Sequence, residues 1–255
     1  MTTTETSGSG DISRSLELLW GGGDRPTRGP KPGLTLDRIV TAAIEIADAE
    51  GMAAVSMRRL STELGTGTMS LYRYVPSKAE LLDLMLDRIQ GTPSETDHPA
   101  PEGDWRAGVE HLARTHLDLH RAHPWLLKVN QARTVLGPGT VRRLEEAVAG
   151  LQGMGLSDPE LISVIITVQS FVSGIARMEI ETAEAARATG LSDDAFWGSQ
   201  QPFLEKAMLS GEFPRMAALS EEAFGEFDHF GFGLRRLIDG FEVLVRQRTV
   251  SDAED

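Results

Sequence analysis

An all-α fold is predicted for this 255-residue chain. Apolar residues recur at three- and four-residue intervals through most of its length, and no stretch longer than a few residues alternates with period two. Gly and Pro clusters fall between the periodic segments and cut the chain into separate helices.

Composition narrows the function classes. Cysteine is absent, which excludes thiolate catalysis, disulfide frameworks and zinc sites built on Cys. No run approaches the ~18 consecutive apolar residues of a membrane span. The N-terminus, MTTTETSGSGD, lacks the basic flank and apolar run of a signal peptide, so a cytoplasmic protein with no membrane partner is expected. The net charge of -13 argues globally against a polyanion binder. It is unevenly spread, however: residues 1–24 carry -3, residues 25–90 carry +1 and residues 91–255 carry -11. Any contact with nucleic acid belongs to the middle segment.

The elements follow in order. Residues 1–11 are too poor in apolar surface to offset ordering and are expected to be disordered. Ile12, Leu16, Leu19 and Trp20 recur at helical spacing, giving a short helix that either docks or stays transient. Residues 21–33 read as an extended basic arm carrying Arg25, Arg28 and Lys31, so 1–33 forms one disordered, basic extension. Thr35 caps a helix that ends near Gly51, Ser56 caps a shorter one through Leu64, and a very short third runs from beyond Gly65 to about Tyr74. Ser77 and Glu80 form a capping box that opens a fourth helix. This unit spans 34–90. A larger helical unit fills 91–250, with helices at about 104–121, 124–131, 140–151, 157–189, 192–210 and 220–248.

The segment SMRRLSTELGTGTMSLYRYV, residues 56–75, is a short helix, a Gly turn and a second short helix. Leu71 and Val75 pack inward with Leu60 and Leu64. Thr66, Thr68, Met69, Ser70 and Arg73 are left facing out, a surface suited to the major groove of DNA. Tyr72 and Tyr74 diverge by about 200° around the helix and are expected to grip different parts of the backbone. Lys78 opposes the dipole of the fourth helix unless an anion such as phosphate lies nearby.

These residues resemble the N-terminal domain of the TetR (tetracycline-repressor-like) family, above all in LYRYVPSKAELL. The stretches DWRAGVEHLARTHLDLHRAHPWLL, VLGPGTVRRLEEAVAGL and LSDPELISVI extend the resemblance to the family's C-terminal ligand-binding domain. The resemblance implies a homodimer that places two recognition helices on a palindromic double-stranded operator and releases it when a small-molecule effector binds. It implies DNA contacts at Ser56, Thr66, Thr68, Met69, Tyr72, Tyr74 and Lys78. Gly67 stands where the family often has a capping hydroxyl, so Thr66 or Thr68 is expected to cap instead, with the Gly67 backbone close to phosphate. The arm, through Arg25, Arg28 and Lys31, resembles extensions that reach the minor groove.

In the last helix Phe224, Phe227, Gly231, Leu234, Ile238, Phe241 and Val245 trace a heptad seam, which together with Phe171 and Ile175 is expected to form the dimer interface. Gly231 and Gly233 suggest a helix crossing closely there. Polar groups on apolar faces mark a ligand pocket: Thr115 and His116 among Leu112 and Leu119, and Gln169, Ser170, Ser173 and Arg177 beside Ile166, with Trp105 and Trp125 as flat walls. His116 and His120 have the i, i+4 spacing of metal ligands, but no H-E-x-x-H pattern accompanies them and no metal or other cofactor is expected. The reading is a non-enzymatic, ligand-responsive regulator, most simply a repressor. The alternatives are a DNA-binding activator, a ligand-independent helix-turn-helix protein, or a metal-dependent enzyme using the His111–His123 cluster.

Overall fold

The structure is a computed structural model that describes residues 5–21, 33–92 and 103–251. Among these residues it is all helix, apart from an isolated parallel bridge between Thr6 and Asn130. The elements are α1 (Ile12–Trp20), α2 (Leu36–Glu50), α3 (Met57–Glu63), α4 (Thr68–Tyr72), α5 (Lys78–Gln90), α6 (Trp105–Ala122), α7 (Pro138–Leu151), α8 (Asp158–Thr189), α9 (Asp193–Leu209), α10 (Pro214–Ala217) and α11 (His229–Ser251).

Helix starts follow the caps read from the sequence. Thr35 accepts from the Arg38 amide and Ser56 from the Arg59 amide, each at 3.1 Å. Gly65 turns the chain between α3 and α4 with φ of +61°, a conformation a side chain would strain. The start of α4 departs from expectation. Gly67 is its N-cap and no side chain bonds there, so neither Thr66 nor Thr68 takes the capping role.

Two apolar cores lie in sequence. The first gathers α2, α3, α4 and α5 around Ile39, Leu60, Leu71, Val75 and Met85. The second gathers α6, α7, α8 and α11 around Val109, Leu151, Val168, Val172 and Leu234. The turn at Pro124–Lys128 crosses between them: Trp125 and Leu126 insert into the first core, and Trp125 Nε1 donates to Asp48 at 2.7 Å. α5 serves both units, packing on α1 and α2 on one side and on α7 on the other.

Three expectations are corrected. Residues 5–11, expected to be disordered, are placed, and the short helix read at Ile12–Trp20 forms and docks: α1 and the segment before it lie on α5, held by hydrogen bonds that composition does not reveal. The last helix begins at His229, not near 220, because Asp228 accepts from the Gly231 amide at 2.7 Å and caps it. Phe224 lies in a 3₁₀ turn and Phe227 in a loop, so neither belongs to a helical seam. Finally, α8 is by length and composition long and apolar enough to cross a membrane, although it packs on α6, α7 and α11. α9 buries no residue, and Phe196, Trp197, Phe203 and Leu204 lie exposed along it.

Candidate nucleic-acid interface and effector cavity

The outward face of α4 is built by what α3 and α5 take away from it. Leu71 and Val75 are fully buried, which pins α4 by one side. The other side is open, with Met69 75 % and Tyr72 45 % exposed. Gly67, Arg73 and Ser56 are exposed, and Thr66, Thr68 and Ser70 are half-buried. Such a ridge offers hydroxyl, thioether and guanidinium groups in the order a groove could read.

Tyr74 does not share that ridge. It is half-buried, and its hydroxyl donates to the Leu34 carbonyl at 3.0 Å, which ties the chain before α2 to the end of α4. The two tyrosines diverge, but only Tyr72 is presented outward. Lys78, at the start of α5, already has partners: its Nζ donates to the Met52 carbonyl at 3.3 Å and pairs with Glu5 at 2.8 Å. The opposed-dipole problem is therefore met inside the chain. Ser77 accepts from the Ala79 amide rather than forming a regular box, and its hydroxyl donates to Glu80. Burial pushes the Glu80 carboxyl up, but bonds from Ser77 and the Asp11 amide outweigh it and hold it below the usual range. Arg25, Arg28 and Lys31 lie outside the described residues.

A cavity of about 540 Å³ opens between the end of α5, α6, α7, α8 and the loop at 131–136. It has the size and mixture of a small-molecule site. The structure brings together seven of the expected pocket residues on its wall: Leu112, His116, Leu119, Ile166, Gln169, Ser170 and Ser173. His120 joins them, its Nε2 lying 3.2 Å from Ser173 Oγ and its Nδ1 buried without a partner among the described residues. The His116 and His120 rings meet edge to face at 4.7 Å. Burial drives His116 down to about 3, with His120 and Arg143 adding to the effect, and drives His120 down to about 4 with help from Arg177. Near neutral pH both imidazoles are uncharged, and each offers one donor and one acceptor.

Four expected pocket residues lie elsewhere. Trp105 is 5 % exposed in the second core under the Arg106 guanidinium. Trp125 is the plug in the first core. Thr115 lies on the opposite side of α6, facing a second cavity of about 520 Å³ lined also by Ile175 and Phe227. Arg177 points along the outside of α8, donating to the Leu127 carbonyl at 3.2 Å. In each case helical spacing identified a partly apolar face, but not which neighbour that face would meet. The sequence reading missed Gln90, Gln131, Thr134, Thr140 and Arg143 on the cavity wall. Gln131 and Thr134 lie on a loop, Gln90 and Thr140 at helix ends and Arg143 in the second turn of α7, where no apolar periodicity marks them. The histidine cluster also separates. His123 turns to Asp48 at 2.7 Å, and among the described residues no set of three or more His, Asp or Glu side chains is gathered to hold a metal ion.

Part of the expected dimer seam is taken up within the chain itself. Leu234 and Ile238 are 3 % and 9 % exposed inside the chain's own second core, and Phe171, Phe241 and Val245 pack against it. A Cβ at Gly233 would lie 2.4 Å from the Phe171 ring, so the close crossing is with the chain's own α8. A Cβ at Gly231 would meet the Asp228 carboxylate that caps the helix. The opposite stripe of α11, Phe232, Arg236, Gly240 and Val243, is the exposed one.

Comparison with known proteins follows this division. The profile described as "Bacterial regulatory proteins, tetR family" matches residues 39–85, and "Tetracyclin repressor-like, C-terminal domain" matches residues 98–245. The chain is 60 % identical over 247 residues to the HTH-type transcriptional repressor DrrR1 of Streptomyces coeruleorubidus, covering 96 % of this chain and 91 % of that protein. The structure of ActR from Streptomyces coelicolor in complex with actinorhodin aligns with a TM-score of 0.67 at 30 % identity, covering 85 % of this chain and 99 % of ActR. The ActR complex with (S)-DNPA gives a TM-score of 0.59 at 30 % identity, covering 83 % and 98 %.

Proposed function

Because the chain belongs to the TetR family of transcriptional regulators, and not to a family of enzymes, we propose that it is a cytoplasmic, ligand-responsive repressor. It binds a palindromic operator as a homodimer and lets go when a small molecule fills the cavity beside α5. DrrR1 is a repressor and ActR was solved with two different small molecules, which supports both halves of the reading.

One observation carries it: α5 is common to both sites. Its first residue, Lys78, stands beside the DNA-reading unit, and its last, Gln90, lines the cavity. Asp87, a turn before Gln90, accepts from the Gly139 and Thr140 amides at the start of α7, and Thr140 is on the cavity wall. A molecule that shifts the wall must therefore move α5, and with it the angle of α4. Two discrete arrangements of one rigid element are what coupling between distant sites requires.

Reading falls to Thr66, Thr68, Met69, Ser70, Tyr72 and Arg73, with Ser56, the Gly67 backbone and Lys78 toward phosphate and Arg25, Arg28 and Lys31 toward the minor groove; Tyr74, whose hydroxyl is held by the Leu34 carbonyl, is left out of the contact. The effector lies against Leu112, His116, Leu119, His120, Ile166, Gln169, Ser170 and Ser173. The second copy covers the exposed stripe of α11 and the bare face of α8 around Gly174, where a Cβ would meet nothing within 4 Å. The apolar surface of α9 belongs to the same contact.

Selection of duplexes from a random library, followed by footprinting, tests the reading. A symmetric protected site is expected. Tyr72→Ala and Lys78→Ala should each weaken binding without unfolding the protein, and loss of the lysine should reduce the salt slope by about one. No symmetric protection, or full affinity in both variants, would refute it.

A further inference from the structure

The N-terminal segment is the part of the molecule to which regulation by α4 and the cavity gives no task. Its attachment is specific. Ser7 Oγ, the Gly8 amide and Ser15 Oγ all donate to the Asp83 carboxylate, at 2.9, 2.9 and 2.7 Å. The Asp11 amide donates to Glu80 Oε1 at 2.8 Å. Ser7, Ser15, Glu80 and Asp83 are each at most 4 % exposed, so the segment buries two carboxylates of α5 and satisfies them.

At both ends it also holds the loop that walls the cavity. The Ser7 amide donates to the Asn130 carbonyl at 3.0 Å and the Asn130 amide to the Glu5 carbonyl at 2.8 Å. Trp20 Nε1 donates to the Leu136 carbonyl at 3.0 Å. Within that loop Gln131, Thr134 and Leu136 face the cavity.

Glu5 is where the two connections meet. Its backbone is fixed by Asn130, next to cavity-lining Gln131, and its carboxylate lies 2.8 Å from Lys78 Nζ. The side chains of Lys78 and Glu5 are 29 % and 35 % exposed, open enough for exchange. A DNA phosphate would seek the same ammonium.

We propose that residues 5–20 form an autoinhibitory strap in which Glu5 competes with DNA phosphate for Lys78 and the cavity-wall loop holds the strap shut. The inference rests on the reading of Lys78 as a phosphate contact. When DNA binds, Lys78 leaves Glu5, and the released carboxylate is repelled by the phosphate that replaced it. That repulsion loosens the backbone pairing of residues 5–7 with Asn130. Linkage then works in reverse: a molecule that orders Gln131, Thr134 and Leu136 favours the closed strap and weakens DNA binding. Because the ion pair is partly solvated, the competition is worth between about 1.5- and 5-fold in affinity.

The test uses the full chain and a duplex selected by the wild-type protein. Dissociation constants are measured by fluorescence anisotropy for wild type, Glu5→Gln, Lys78→Ala and the double variant. Glu5→Gln should tighten binding about 1.5- to 5-fold, and that gain should vanish in the Lys78→Ala background, as a double-mutant cycle requires of a direct pair. Hydrogen exchange at the Ser7, Gly8 and Asn130 amides should be faster in the DNA complex than in the free protein. Equal or weaker binding by Glu5→Gln, a gain that survives without Lys78, or unchanged exchange would overturn the strap. If Lys78→Ala alone leaves affinity intact, the phosphate reading of Lys78 fails and the strap falls with it, so the two failures are distinguishable.

Discussion

Removing the Asp87 carboxylate measures how firmly the two helical units are joined. Asp87 is 6 % exposed on α5 and accepts three bonds from the start of α7: from the Gly139 amide at 3.1 Å, the Thr140 amide at 2.8 Å and Thr140 Oγ1 at 2.9 Å. These amides are free donors of the first turn of α7, so the carboxylate also lies at the positive end of a helix. In Asp87→Ala the buried Gly139 N–H loses its partner at about 1–3 kcal/mol, and the two partly solvated Thr140 donors add less, for a total of about 2–4 kcal/mol. Asp87→Asn keeps one acceptor and should cost roughly half as much. Urea unfolding followed by circular dichroism at one fixed protomer concentration is the assay, because the midpoint of an associating protein depends on concentration. The same contact explains the Gly-Pro-Gly sequence: a Cβ at Gly139 would lie 2.2 Å from the Asp87 carbonyl oxygen, so Gly139→Ala should destabilise as well. An alanine variant at position 87 within about 0.5 kcal/mol of wild type, the range of an ordinary surface substitution, would show that α5 and α7 are not joined in this way.

Gly108→Ala should cost about 1–3 kcal/mol in the same assay, since its Cβ would stand 2.1 Å from the Gly150 carbonyl oxygen and force α6 from α7; a neutral result would contradict that approach. The histidine pair sets a pH dependence. Folded values of about 3 and 4 lie below the unfolded value of 6.5, so the unfolded chain binds more protons and stability falls as pH drops from about 6.5 toward 4. The slope reaches at most about 1.4 kcal/mol per pH unit for each ring, and His116→Phe should flatten it between pH 4 and 6.5. In α11, Val243→Asp should yield folded monomers in sedimentation. Leu234→Ala should keep the assembly but lose about 2–5 kcal/mol of stability. The reverse pattern would restore the seam to the partner-facing side.

The fold class, most helix starts and the reading ridge were legible because they depend on local chemistry. A hydroxyl before a helix accepts an amide wherever it occurs, and Leu71 and Val75 fall on one side of a short helix regardless of what covers them. Gly65 announced its turn for the same reason. The pocket was half legible: polar residues on apolar faces of α6 and α8 led to His116, Gln169 and Ser173, but not to Arg143 or Gln131, which reach the same space from α7 and a loop.

Periodicity marked Leu234, Ile238, Phe241 and Val245 as a buried stripe without saying whether the burying surface was the chain's own α8 or a second copy. Packing answers that for Leu234 and Ile238, which the chain's own core buries, because a heptad pattern encodes an angle around one helix and carries no information about its neighbour. Trp125 was recognisably apolar, and its place as the plug between cores came from a turn that leaves its own domain. The Ser- and Gly-rich start looked unable to order itself. It is ordered by Asp83 and Glu80, some seventy residues away, whose burial under it could not be inferred from composition at either site. Local propensity thus follows from residue type alone, whereas the partner of each buried group is settled only when distant segments meet and every polar atom taken from water must find a bond.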